Sequence, residues 1–239
     1  MTVTRLALEY DGRPFAGWAA QPGRRTIEGE LSAALRIVLR RDVDLVVAGR
    51  TDRGVHALGQ VVSYEGPPPS PRSLNALLPT EIAVTGVSEA SPGFSARHDA
   101  VTRSYRYRLW TRRAPSPFQA GRVLWWPHRL DESALHACAA ALVGEHDFRA
   151  FTPSQTRHRH FRRRIARAGW RRDGDLLEFS IEADSFLRHM NRILVGTMLE
   201  IAGGGRPLAE FGKLLEGRPR AAAGRTVAPH GLFLVGVSY

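Results

Sequence analysis

Apolar and polar residues alternate from Val3 to Glu9 and stop at the turn signal Asp11-Gly12, the pattern of a half-buried strand followed by a turn. From Thr26 to Leu39 the period changes. Ile27, Leu31, Ala34, Leu35, Val38 and Leu39 fall on one helical face, and Thr26 stands where an N-cap belongs. Strands are expected at Asp44–Ala48, which Gly49 breaks, and at Leu58–Tyr64 and Ile82–Ser88, with a short helix at Ser73–Leu78 between the last two. The later part repeats the theme: strands at Arg103–Thr111 and Val123–Trp126, a helix at Glu132–Val143, paired strands at Phe161–Trp170 and Leu176–Glu182 around the hairpin signal Asp173-Gly174, helices at His189–Ala202 and Leu208–Leu215, and a closing strand at Gly231–Tyr239. This order predicts an α+β protein of two similar halves, with antiparallel sheets joined around a central cleft and helices packed on one face. The boundary is expected near residue 100, giving halves at 1–100 and 101–239. The proline-rich run Gly66–Pro71 reads as a stiff connector, and no repeat of solenoid or propeller length is visible.

Composition narrows the classes. At 239 residues and 43% hydrophobic, the chain has enough apolar material for buried cores. Its longest apolar run, Ala137–Val143, is far too short for a membrane span. Arg5 sits where a signal peptide needs an apolar stretch, so a cytoplasmic protein with no membrane partner is expected. The single Cys138 excludes an intrachain disulfide and lies in an apolar helical stretch as a small core residue. Lys+Arg exceeds Asp+Glu by 34 to 23, a net +11, and 33 of the 34 basic residues are arginine. Either phosphate recognition or a GC-rich genome explains the arginine skew. The net charge itself predisposes the chain to bind a polyanion.

The densest polar segment is Ala48–Val62. An apolar strand enters it and another leaves, so Arg50-Thr-Asp52-Arg53-Gly54-Val55-His56 forms a loop between strands, with glycines at 49, 54 and 59. Arg50 and Arg53 flank Asp52, and positive neighbours favour an ionised carboxylate, a nucleophile or base rather than an acid. No other acid occurs between Asp44 and Glu65, which argues against the carboxyl pair that a glycosidase uses. Asp52 and His56 alone make a poor metal site. A turn-forming aspartate is the simpler alternative.

The stretch Arg50–Val61 resembles the catalytic motif of the tRNA pseudouridine synthase A family. The resemblance continues in order along nearly the whole chain: Glu9-Tyr-Asp-Gly12 with Phe15-Ala-Gly-Trp18 and Gln21, Asn75-Ala-Leu-Leu-Pro79, Phe94-Ser-Ala-Arg97, Arg103-Ser-Tyr-Arg-Tyr107, Gly144-Glu-His-Asp-Phe148, Phe186-Leu-Arg-His-Met190 with Arg192, and Gly231-Leu-Phe-Leu-Val235. The chain departs from the family's usual Met-Val-Arg-Asn-Ile order at Met190-Asn191-Arg192-Ile193-Leu194. The resemblance implies an isomerase that converts uridine to pseudouridine at positions 38, 39 and 40 of the tRNA anticodon stem-loop. It implies a homodimer that uses no metal and no cofactor. Asp52 would be the essential aspartate, attacking C1′, attacking C6 or removing the 2′ proton. Arg50 would pair with it and help displace the base, and Tyr105 would stack on the uracil. Leu232 or Leu234 would wall the base, and Arg53, His56, Arg188 and Arg192 would lie near the substrate. Without the resemblance, an alternative for Tyr105 is an alternating strand residue with Arg103 and Tyr107 on the same face.

Two stretches suggest where RNA would lie. Residues 157–172 hold eight arginines and no acid, and residues 97–113 hold six arginines against Asp99. Arg157, Arg159, Arg162, Arg163 and Arg164, with Arg24 and Arg25, are the candidate backbone contacts. Phe161, Trp170, Tyr105, Tyr107 and Trp110 offer stacking surfaces among them. A non-catalytic RNA-binding module and a nucleosidase are the competing functions. The first leaves the Asp52 loop unexplained, and the second lacks its second carboxyl.

Overall fold

The computed structural model describes residues 2–156 and 158–239. In chain order its elements are β1 (Val3–Tyr10), α1 (Ile27–Leu39), β2 (Val46–Val47), β3 (His56–Glu65), α2 (Pro71–Leu77), β4 (Ile82–Ala90), β5 (Thr102–Trp110), β6 (Leu124–Trp125), α3 (Glu132–Leu142), β7 (Gly144–Asp147), β8 (Arg162–Asp173), β9 (Leu176–Ala183), α4 (Met190–Ala202), α5 (Ala209–Leu214) and β10 (Leu232–Ser238). Helices and predominantly antiparallel strand pairing make this an α+β fold. The chain divides into two compact units. One runs to Arg103 and regains Phe233–Tyr239; the other is Ser104–Leu232.

In the first unit the strands lie in the order β4-β1-β3-β10, with β2 on β3. β1 is antiparallel to both β3 and β4, and β10 runs parallel to β3 through Phe233↔His56 and Leu234↔Ala57. The alternation of β1 puts Leu6, Leu8 and Tyr10 inside. β3 is buried from Gln60 to Tyr64 without alternation, because both of its faces are covered. On one face Val61 packs with Ala48, Ala96, Phe94 and Val237. Between Leu8↔Gln60 and Tyr10↔Ala57 β3 carries one extra residue, a bulge that re-aims the strand just after the polar loop. Helix α1 buries Ile27, Leu31, Ala34 and Leu35, and its N-cap Thr26 accepts from the Gly29 amide at 3.2 Å, a cap worth about 1 kcal/mol. α1 packs on α2, and α2 on β4.

In the second unit the order is β5-β9-β8-β7, with β6 parallel to β5. β8 and β9 form the predicted hairpin, with Gly174 at φ +56° in its turn. α3 packs against β8, α4 and α5, and its Asp131 N-cap accepts from the Ser133 and Ala134 amides. Cys138 is fully buried in α3, as expected of a core residue.

The structure corrects several sequence expectations. The strand expected over Asp44–Ala48 shrinks to Val46–Val47, because the residues before it are outside the ladder. The four-residue strand β7 has no apolar alternation of its own and exists by pairing with Arg162–Ile165. The larger correction concerns aromatic stacking. Tyr107 is 0% exposed, Trp170 6% and Tyr105 8%, since the alternation of β5 and β8 turns these rings inward and the arginines outward. Tyr107 and Trp170 are core residues rather than platforms for bases. The most exposed aromatic ring is Phe118, in the segment between β5 and β6.

Candidate active site

The polar loop 48–55 is held by a second segment, residues 10–18, folded directly against it. At the near flank of Asp52, the Tyr10 hydroxyl and Thr51 Oγ1 lie 2.7 Å apart, and Trp18 N–H donates to the Thr51 carbonyl at 3.0 Å. Gly17 and Asp52 themselves form a bridge. Gly17 has φ +114°, and a Cβ there would meet the Thr51 carbonyl oxygen at 3.0 Å and the Arg53 nitrogen at 3.1 Å. Only glycine combines that backbone angle with so close an approach. The 17–18 carbonyls in turn accept from the Ile27 and Glu28 amides of α1, so the helix N-terminus braces the platform. Gln60, fully buried on β3, donates to the Gly49 carbonyl at 2.7 Å and to the Tyr10 hydroxyl at 3.2 Å. Burial pushes the Tyr10 phenol up to about 12, against the lowering effect of its hydrogen bonds to Thr51 and Gln60, so it stays a neutral partner.

Beyond Asp52, Val55 N–H donates to the Asp52 carbonyl at 3.1 Å, closing a turn. Gly12 then packs on Val55 so tightly that a Cβ would collide with its carbonyl. The carboxylate side chain is half-buried, while Arg50 and Arg53 are exposed beside it. The end of the entering strand is fixed by Arg103, whose guanidinium donates to the Ala48 carbonyl at 3.1 Å, the Arg97 carbonyl at 2.7 Å and the Ala100 carbonyl at 3.0 Å.

His56 was expected near the substrate. The structure places it 2% exposed, stacked on Phe233 at 4.5 Å and 15°. Its Nδ1 lies 3.2 Å from the Gly12 amide and 3.3 Å from Asp11 Oδ1. Asp11 is gripped by Arg13 through contacts of 2.5 to 3.0 Å. Leu234 is fully buried.

The other candidates belong to the second unit. Tyr105 meets Phe186 edge-on at 4.9 Å. Leu232 is 6% exposed. Arg192 donates to the Val227 carbonyl at 2.9 Å, and Arg188 is exposed. His189, next to Arg188, stands at the N-cap of α4 with φ +60°, an uncommon backbone for a non-glycine residue. At the departure from the family order, Ile193 is fully buried. Asn191 is 5% exposed, and its Oδ1 has no hydrogen-bond partner among the described residues.

The candidate backbone contacts fare unevenly. Arg24, Arg159 and Arg164 are exposed. Arg162 pairs with Glu145 at 2.6 Å. Arg163 is half-buried and donates to the His160 and Arg162 carbonyls, and its burial lowers its pKa. Arg25, expected to be a flexible contact, is engaged instead: it pairs with Glu30 at 2.9 Å and Glu81 at 3.3 Å and lies over the Phe15 ring. Arg157 lies outside the described residues. Sequence reasoning did not single out Tyr10, Gly12, Gly17, Arg103 or Phe233 as supports of the loop. The available signal was the Asp11-Gly12 turn placed just before the buried Phe15–Trp18 segment.

The family model described as tRNA pseudouridine synthase matches residues 138–239. A protein named tRNA pseudouridine synthase A from Chromobacterium violaceum is 41% identical over 240 residues, covering 98% of this chain and 92% of its own. Proteins of the same name from Paraburkholderia phymatum and Geobacillus kaustophilus are 38% and 39% identical, covering 100% and 98% of this chain and 91% and 93% of their own. Among solved structures, a chain from a Cbf5-Nop10-Gar1 complex aligns with 82% of this chain and 53% of its own at 11% identity and a TM-score of 0.39, too distant to carry an argument.

Proposed function

Because the chain belongs to the tRNA pseudouridine synthase A family, we propose that it isomerises uridine to pseudouridine at positions 38, 39 and 40 of the tRNA anticodon stem-loop, with Asp52 as the catalytic carboxylate. The enzyme is an isomerase acting on tRNA. The uracil N1–C1′ bond breaks, the base turns, and a C5–C1′ bond forms while C5 loses its proton and N1 gains one. There is no net oxidation, and the proposal needs neither metal nor cofactor.

The observation that carries the assignment of Asp52 is its setting. A half-buried carboxylate stands in a turn whose backbone is pinned on both flanks by Trp18, Gly17 and Gly12. A reacting group needs a fixed position, and here the backbone supplies it before substrate arrives. Such a carboxylate can attack C1′, attack C6 or take the 2′ proton. Detachment of uracil must exclude water, or the base is lost by hydrolysis. Arg50 pairs with the carboxylate and helps displace the base. Tyr105 and Leu232 form the apolar contacts that an extruded base needs, since Leu234 is fully buried. Arg53, Arg188 and Arg192 are further substrate contacts, and the exposed Arg24, Arg159 and Arg164 meet phosphates. Enough arginines remain exposed on a chain of charge +11 to support this reading. A homodimer and a cytoplasmic location belong to the same proposal; sedimentation of the purified chain tests the first.

Tritium release from tRNA labelled at uracil C5 tests the activity. Isomerisation frees the label and keeps the base attached, hydrolysis yields free uracil, and binding alone releases nothing. Asp52→Asn should abolish release and leave tRNA affinity little changed. Retained turnover in that variant would remove Asp52 from its role.

A further inference from the structure

The histidine of the catalytic motif is shut away from solvent, so a role for it must act through what it touches. Its Nδ1 accepts from the Gly12 amide at 3.2 Å, and Gly12 is the residue whose backbone lies against Val55. Val55 in turn closes the turn on the Asp52 carbonyl at 3.1 Å. Imidazole, the 11–13 turn and the carboxylate's turn are therefore links in one short chain of contacts. Tyr10, one residue before Asp11, clamps Thr51 on the opposite flank of Asp52. The 10–13 segment thus touches the loop on both sides of the reacting residue, and His56 fixes one of the two ends.

Resting on the reading of Asp52 given above, we propose that His56 is a positioning residue: its Nδ1, by accepting the Gly12 amide, holds the 10–13 turn against Val55 and so sets the place of the Asp52 carboxylate.

The arrangement gives a part to Phe233, Gly12 and Asp11, which all lie against His56. Phe233 stacks on the ring and fixes its plane. The ring orientation that this stack selects aims Nδ1 at the Gly12 amide. Arg13, through its fork on Asp11, neutralises the carboxylate that lies 3.3 Å from the same nitrogen.

Two substitutions separate this role from a general packing role, because they keep different halves of the side chain. His56→Phe preserves the ring stack on Phe233 and removes the acceptor. His56→Asn loses the stack and restores an acceptor, since an asparagine Oδ1 falls near the place of imidazole Nδ1. Thermal melts and steady-state tritium release are measured on the full-length chain. Expected are a kcat for His56→Phe at least tenfold below the parent with KM within twofold, and a kcat for His56→Asn within about threefold of the parent, although His56→Asn melts at the lower temperature. Activity and stability then rank in opposite orders, which a packing role cannot produce. If kcat follows melting temperature across the two variants, the proposal fails. If KM rises while kcat holds, His56 touches substrate and the proposal likewise fails. Should His56→Phe not fold, His56→Asn still decides: an inactive but folded His56→Asn overturns the assignment. Absence of release from the parent chain would instead refute the isomerase reading.

Discussion

Replacing Gly17 by alanine tests whether the catalytic loop is held by the segment beneath it. Two costs arise at this position. The first is backbone strain: φ is +114°, and holding a non-glycine residue in so sparse a region costs about 1–3 kcal/mol. The second is contact. The new Cβ would stand 3.0 Å from the Thr51 carbonyl oxygen, 3.1 Å from the Arg53 nitrogen and 3.3 Å from the Asp52 carbonyl carbon. All three are backbone atoms of the loop and cannot swing aside, so the loop must retreat by a few tenths of an ångström. Gly93→Ala is the matched control, since Gly93 has φ +82° but nothing within 4 Å of the added carbon. It carries the strain without the push. At about 2–4 °C per kcal/mol for a chain of this size, strain of about 2 kcal/mol lowers the melting temperature by about 4–8 °C in Gly93→Ala and by at least as much in Gly17→Ala, where the contact adds to it. Misplacing a reacting group by 1 Å costs about 100-fold in rate, so a shift of a few tenths should lower single-turnover release by about 3- to 10-fold in Gly17→Ala alone. Circular-dichroism melts and tritium release at saturating tRNA read the two quantities. Equal rates in the two variants would show that the bridge at Gly17 does not set the position of Asp52.

Two further outcomes follow from charge and burial. Burial pushes Asp11 upward, but the hydrogen bonds from Arg13 and its positive charge outweigh it, and its pKa is net lowered. A carboxyl lower in the folded than in the unfolded state, whose value is about 3.9, stabilises the fold above that pH and loses the contribution as pH falls through the folded value. Acid unfolding followed by fluorescence should therefore be steeper below about pH 4 in the parent than in Asp11→Asn; identical acid limbs would contradict the pairing. Burial also pushes the Cys138 thiol up to about 12. The native chain should resist iodoacetamide at pH 8 and react once denatured, as mass spectrometry would show; fast labelling of the folded protein would mean that α3 opens.

Much of the fold was legible because period carries burial. The alternation of Val3–Glu9 and the helical spacing of Ile27, Leu31, Ala34 and Leu35 each describe a face that must find a core, and the structure buries those faces. The same rule was available for Tyr105, Tyr107 and Leu109, which share one face of β5 with Arg106 and Arg108 on the other. Reading the Tyr107 ring as a stacking surface set charge density above periodicity, and the structure follows periodicity. β7 was illegible for a different reason. Its residues Gly144–Asp147 carry no apolar face, so their strand state is decided by the partner they pair with, which local sequence does not encode. β2 shows the reverse: the apolar run extends further than the ladder that receives it.

The site divides along the same line. Arg50, Asp52 and Arg53 stand together in sequence, so a reader of the chain meets the reacting group and its charged neighbours at once. Tyr10, Gly12 and Gly17, which hold them, stand about forty positions earlier, and each acts through an atom whose use depends on the fold. Tyr10 acts through a hydroxyl that the alternation of β1 turns inward and that finds its use only when Thr51 is folded against it. Gly12 and Gly17 act by having no Cβ where two backbones touch. His56 lies inside the motif, and its proximity to Asp52 in sequence suggested contact with substrate. The parallel pairing with Phe233 and the ring stack on it place it in the interior instead. A motif of fixed spacing can thus hold two kinds of residue under one pattern, one that faces the reaction and one that faces the scaffold. The direction of the strand that leaves the loop is what separates them.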